Sequence, residues 1–187
     1  MARRIAVIII IAFAVLGILA LTHRPAHAAL PPGVRAPLFT TQATIGTKVF
    51  TFSLADALKK GPVVLYFYPA AFTEGCTQEA HDFADAIGKY KALGATVIGV
   101  SKDDIAKLKK FGTSECRSKF PVASDAGLAI AKRYDSTIDF QHDLYANRVS
   151  YVIAPSRKIV YVYSSLDPDK HVANTLAALE KLQHKSM

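Results

Sequence analysis

Cysteine is scarce in this chain, and the two that it has, Cys76 and Cys116, form no C-x-x-C pair. A thioredoxin-like disulfide reductase or oxidase resolves one thiol with the other at that spacing, so Cys76-Thr77-Gln78-Glu79 argues against that class. Internal repeats and low-complexity tracts are missing as well. No array of arginines interleaved with aromatics occurs, so nothing points to nucleic acid. A metal site built from Cys76, His81 and His142 would match no strong ligand spacing, and both histidines read as surface residues. No metal or cofactor is expected.

What is present begins with Met1-Ala2-Arg3-Arg4, a basic segment, followed by an apolar run from Ile5 to Leu21. Ala26-His27-Ala28 supplies a small-x-small cleavage pattern, so residues 1–28 read as an export signal, the alternative being an uncleaved anchor. No cysteine lies near that site to carry a lipid. The protein is expected to be exported, periplasmic or extracytoplasmic, and membrane-bound only if the segment stays attached. The signal holds three arginines and no acid, so its removal lowers the formal charge of +8 by three. Lys102-Asp103-Asp104 and Lys107 to Lys110 read as solvated helix faces. Residues 29–36, with Pro31-Pro32-Gly33, read as a linker, and residues 37–187 as one domain.

Within that domain the pattern alternates strand and helix. Phe39 to Phe52 reads as a hairpin about Ile45-Gly46-Thr47, and Ser53 caps a short helix from Leu54 to Lys60 that Gly61-Pro62 stops. Val63 to Tyr68 is β-branched and aromatic without polar alternation, as expected of a strand covered on both faces. Thr96 to Ser101 reads as a second buried strand. Helices are expected over Asp103–Phe111 and Asp125–Tyr134, strands over Val149–Ile153 and Ile159–Tyr163, and a last helix from near Pro168 to about Leu182. This order predicts an α/β fold with a mixed central sheet flanked by helices.

The stretch that carries chemistry joins Tyr68 to the next helix. Pro69 ends the strand, and Ala80, Phe83, Ala84, Ile87 and Tyr90 recur at three- and four-residue steps, which puts Cys76 in or just before the first turn of an amphipathic helix. Unpaired backbone N–H groups and the positive end of the macrodipole favour thiolate there, and the thiolate is the nucleophile. The plain alternatives are a small buried Cys76, a capping Thr73 and a structural disulfide. A Cys76–Cys116 bridge would close a loop of about forty residues, contributing roughly 4 kcal/mol in the chain-entropy model. Arg148 opens the Asn147–Ile153 strand, where it is either a site residue or the partner of Asp139 or Asp143.

Pro69, Thr73 and Cys76, as P-x-x-x-T-x-x-C after an apolar strand, resemble the active-site motif of the peroxiredoxins. The continuation Cys76-Thr77-Gln78-Glu79-Ala80 is most similar to the bacterioferritin-comigratory-protein subgroup. The resemblance implies a thioredoxin-like fold and reduction of hydrogen peroxide and organic hydroperoxides. In it Cys76 is the peroxidatic thiol, Thr73 and Arg148 hold the peroxide oxygens, Pro69 shields the pocket and Glu79 supports. Many members of the subgroup carry a resolving cysteine where this chain has His81, which leaves Cys116 to form the intramolecular disulfide, or an external thiol to act instead. A thioredoxin-like dithiol donor and a monomeric state are implied. Phe72, Phe140 and Tyr145 are candidates for an entrance that admits organic hydroperoxides. A non-catalytic thiol redox sensor, or an exported metal-binding protein of the same fold with a structural disulfide, stands as the alternative.

Overall fold

Five consecutive residues, Val63 to Phe67 (β3), are all buried, and their alternation explains why. Val63, Leu65 and Phe67 enter one apolar layer, while Val64, Tyr66 and Tyr68 enter another on the opposite face of the sheet. Successive strand side chains point to opposite faces, so a strand covered on both sides reads as an unbroken apolar run. The computed structural model describes residues 29–184; the expected export signal, residues 1–28, lies outside them.

The other elements arrange themselves about β3. In chain order they are β1 (Thr40–Ile45), β2 (Lys48–Ser53), α1 (Leu54–Leu58), β3, α2 (Glu74–Ala92), β4 (Thr96–Ser101), α3 (Ile105–Ser114), β5 (Val122–Ser124), α4 (Ala129–Arg133), β6 (Thr137–Phe140), β7 (Asp143–Ala146), β8 (Val149–Ile153), β9 (Ile159–Ser164) and α5 (His171–His184). The main sheet has seven strands in the order β2-β1-β5-β4-β3-β8-β9. β3 runs parallel to β4 and antiparallel to β8, with Leu65 opposite Ile98 on one side and Tyr151 on the other. This is the expected mixed sheet with helices on both faces.

Two local features fix the layer that carries both cysteines. The Tyr66 ring stacks on Phe83 of α2 at 4.4 Å between centroids. It lies so close over β4 that a Cβ at Gly99 would fall 2.6 Å from its Cζ, which is why that strand carries glycine there. Ser53 caps α1 as expected, accepting from the backbone N–H of Asp56.

Four expectations change. The helix expected over Asp125–Tyr134 is only Ala129–Arg133, because Leu128 is left-handed (φ 54°) and the Asp125 carboxylate instead accepts from the N–H groups of Ile130 and Ala131. β5, three residues long, is too short to show a period and was not expected. The β6–β7 hairpin was missed because its turn, Gln141-His142, takes positive φ at both residues without the Asn-Gly signal that usually marks such a turn. The segment read as a linker does not hang free: Gly33 N–H donates to Ile159 O, Ile159 N–H to Val34 O, and Ala36 N–H to Arg157 O.

Candidate functional site

The site lies where β3 runs out. Tyr68 N–H still donates to Val100 O of β4, and Pro69 then releases the chain into a turn. The carboxylate of Asp103 holds that turn, accepting from Ala71 N–H at 2.7 Å, from Ser101 Oγ at 2.8 Å and from Lys107 Nζ at 2.7 Å. Asp103 was read as part of a solvated helix face; it is buried, and it ties the turn to the end of β4. Phe72 takes φ 70°, and Thr73, in extended conformation, precedes α2. Cys76 therefore occupies the third position of α2, and its side chain is buried.

Arg148 reaches the same point from the neighbouring strand. The antiparallel register sets Val149 opposite Phe67, so the residue before Val149 comes level with the chain leaving β3. Arg148 is buried, and every arm of its guanidinium is used. Nη2 donates to Cys76 Sγ at 3.3 Å, Nε donates to Leu166 O at 2.9 Å, and Nη1 pairs with Glu79 Oε2. Its backbone N–H is held by Asn147 Oδ1. A Cβ on Gly75 would stand 3.1 Å from Nη2, so glycine beside Cys76 gives the guanidinium room. The alternative reading of Arg148, a pair with Asp139 or Asp143, is not what the structure has: its carboxylate partner is Glu79. Glu79, to which the resemblance gives a supporting part, lies on the buried stripe of α2 formed by positions 79, 83, 86 and 90, a spacing that marks it as an inward residue.

Beyond Glu79 stands His171, which sequence reasoning did not single out. Its Nε2 lies 3.0 Å from Ser165 O, its Nδ1 lies 2.8 Å from Ser150 Oγ and 3.5 Å from Glu79 Oε1. Burial raises Glu79 to about 8 against the opposing pull of Arg148, and burial lowers His171 to about 4. Residues 171, 175 and 179 are the buried stripe of α5, the signal that marks His171 as an inward residue.

Of the residues expected at the site, Cys76, Thr73, Pro69 and Arg148 come together at this end of the sheet. The Thr73 hydroxyl turns back to donate to Ala70 O at 3.0 Å. Pro69, Ala70 and Thr73 form one wall of a cavity of about 340 Å³, closed by Ile138, Phe140 and Tyr145 of the β6–β7 hairpin and by Leu166. Phe72 faces elsewhere, edge-on to Phe111. Cys116 is different. It follows α3, is fully buried in the same apolar layer as Cys76, and is not bonded to it. Burial pushes the Cys116 thiol far up. His81 pairs with Glu115, and among the described residues no group of three or more His, Cys, Asp or Glu side chains is placed to hold a metal ion.

Comparison with known proteins agrees with this geometry. Residues 32–162 match the AhpC/TSA family model. The chloroplastic peroxiredoxin Q of Oryza sativa subsp. japonica is 36% identical over 176 residues, covering 86% of this chain and 78% of that one. A putative peroxiredoxin of Mycobacterium tuberculosis, MT1643, is 36% identical over 132 residues, 70% of this chain and 85% of the other. Among solved structures, the peroxidoxin BcpB of Mycobacterium tuberculosis superposes with a TM-score of 0.74 at 32% identity, covering 82% of this chain and 98% of its own. The chain belongs to the AhpC/TSA family, as a peroxiredoxin of the bacterioferritin-comigratory type. It is a thiol-dependent peroxidase, with a peroxide as substrate and a thiol as reductant.

Proposed function

We propose that Cys76 is the peroxidatic residue, and the observation that carries this is the 3.3 Å contact from Arg148 Nη2 to its sulfur at the mouth of the Pro69–Thr73 turn. The guanidinium offers a fixed counter-charge to the thiolate in a site largely closed to water. The thiolate attacks the terminal oxygen of a hydroperoxide, the O–O bond breaks, and the departing oxygen takes a proton to leave as water or an alcohol. Cys76 is left as sulfenic acid. Thr73 and Arg148 hold the two oxygens, and Pro69 screens them. Cys116 then attacks the sulfenic sulfur, giving a Cys76–Cys116 disulfide and water, and a thioredoxin-like dithiol reduces the bridge. Hydrogen peroxide fits this site, and the cavity walled by Ile138, Phe140, Tyr145 and Leu166 suits the apolar tail of an organic hydroperoxide. Residues 1–28 direct export to the periplasm, and residues 37–187 work there as a monomeric domain.

Reduced wild type, Cys76→Ser and Cys116→Ser proteins, each treated with one equivalent of hydrogen peroxide, test the scheme by intact mass and cysteine-linked peptides. The expected product is a Cys76–Cys116 peptide, two hydrogens lighter and reversible by dithiol. Oxygen retained on Cys76 in wild type, with no bridge, would replace Cys116 by an external thiol. Absence of rapid change at Cys76 would return both cysteines to a structural role.

A further inference from the structure

The buried cluster behind Arg148 contains an imbalance. Glu79 Oε1 is fully buried and has no hydrogen-bond partner among the described residues, although its other oxygen is paired with Arg148. His171 Nδ1 stands 3.5 Å from it. A backbone carbonyl can only accept, so the 3.0 Å contact between His171 Nε2 and Ser165 O puts a proton on Nε2. In the neutral ring Nδ1 is then an acceptor, served by the Ser150 hydroxyl at 2.8 Å. If Glu79 were ionised as well, Oε1 would be a buried anionic oxygen with no donor, 3.5 Å from an imidazole nitrogen that has no proton to give. One proton between them removes the conflict, whichever atom carries it.

We infer that Glu79 and His171 hold one proton between them, and that this proton leaves the charge of Arg148 to the Cys76 sulfur, making His171 a positioning residue that acts through Glu79 and Arg148. With the proton present the pair is neutral overall, and the guanidinium has the thiolate as its only anionic neighbour in the cluster. When the proton is lost, Glu79 becomes a second anion on the same guanidinium, and the hold on the thiolate weakens. The location of the proton follows from the surroundings: burial favours the neutral form of both groups, raising Glu79 to about 8 and lowering His171 to about 4, so the acid carries it.

Every element packed round the pair takes part. Arg148 from the start of β8 draws Glu79 down, while Asp82 on α2 pushes it up. Tyr66 from β3 and Tyr90 on α2 both feel the Glu79 charge. Arg148 lowers His171, and Asp167, in the loop before α5, raises it. The Tyr163 ring of β9 packs edge-on to the imidazole, with 4.8 Å between centroids.

This inference rests on the reading of Cys76 as the nucleophile, so its test has one readout that needs no peroxide. Infrared spectra of Cys116→Ser protein, titrated with base, are expected to show a protonated carboxyl C=O band at neutral pH that is lost on passing about 8 and is missing in Glu79→Gln. The rate constant for peroxide oxidation of Cys76 is expected to fall by about threefold or more over the same interval, and the fall should vanish in Glu79→Gln, whose amide cannot ionise. His171→Leu removes the acceptor at Nδ1 and should move both midpoints together, whereas His171→Asn, which keeps a polar acceptor, should bring them back toward wild type. A carboxyl ionised at neutral pH, or an alkaline fall that persists in Glu79→Gln, overturns the inference. Should Cys76 not react at all, the carboxyl band still decides where the proton is.

Discussion

The two sulfurs of this chain share one apolar layer and differ in almost everything else. Cys76 stands in the first turn of a long helix with a cation 3.3 Å away, just after the Pro69–Thr73 turn that walls a cavity together with the β6–β7 hairpin. Cys116 lies past the end of α3, and burial, together with the charge of the adjoining Glu115, pushes its thiol far up. Burial alone therefore does not set the chemistry of a cysteine. A cation against one sulfur, and only burial and the Glu115 carboxylate about the other, set the two thiols apart.

Removing the cation should affect this contrast most. Arg148→Met keeps much of the length of the side chain and loses the charge, so the rate of Cys76 oxidation is expected to drop by about 10²–10³, as for loss of one preorganised donor. Arg148→Lys should recover only part of that, since a single ammonium cannot serve Cys76, Glu79 and Leu166 O together. Stopped-flow oxidation of Cys116→Ser protein measures both. An Arg148→Met rate within a few-fold of wild type would mean that the cation does not set the two sulfurs apart.

The same cluster should mark the pH dependence of stability. Glu79 rises from its ordinary 4.5 to about 8 on folding, so the folded chain keeps a proton that the unfolded chain releases, and stability falls as pH rises through that range. His171 falls from 6.5 to about 4, so the unfolded chain binds its proton first and stability is lost as pH drops. The opposed slopes offset each other where they overlap. Between about pH 6.5 and 8 the Glu79 slope remains, worth roughly 2 kcal/mol. Urea unfolding midpoints across that interval should decline in wild type and stay level in Glu79→Gln; a level wild-type profile would mean that Glu79 is ionised throughout.

Much of this was legible beforehand, and what was not has a common cause. β3 could be read because a doubly covered strand is continuously apolar, and α2 because its buried stripe repeats at helical spacing. Pro69, Thr73 and Cys76 follow one another in a single turn, so local sequence carries their proximity. Arg148 stood out only as an arginine at the start of a buried strand. Its pairing with Glu79 is a contact across 69 positions, and no local pattern contains it. His171 was hidden for the same reason, since the polar run Asp167-Pro168-Asp169-Lys170 before it resembles a solvated helix start. Asp103 and the Gln141-His142 turn show another failure: Asp103 is drawn inward in part by a distant backbone N–H, and the turn takes positive φ on residues that do not signal it.

The smallest expected effect bears on the release of Cys116. The segment that carries it is fastened to α2 by three side chains: Glu115 to His81 at 2.8 Å, Arg117 to Asp85, and Lys119 Nζ to Ala84 O at 3.0 Å. Against this, Arg117 and Ser118 are both left-handed (φ 50° and 53°), a conformation that costs non-glycine residues of the order of 1 kcal/mol each and is relieved when the segment unwinds. Exposed ion pairs are worth about 0–1 kcal/mol, so fastening and strain are of similar size. His81→Ala is expected to speed disulfide formation after Cys76 oxidation by about two- to fivefold, and added salt should do the same by screening. Ser118→Gly relieves strain in the packed form without touching a fastening and should slow it by a comparable factor. Quenched-flow trapping of the bridge reads both. Opposite signs mean that the packed segment is balanced between clamp and strain; the same sign for both would place the barrier elsewhere, in the extraction of the Cys116 side chain from its apolar layer.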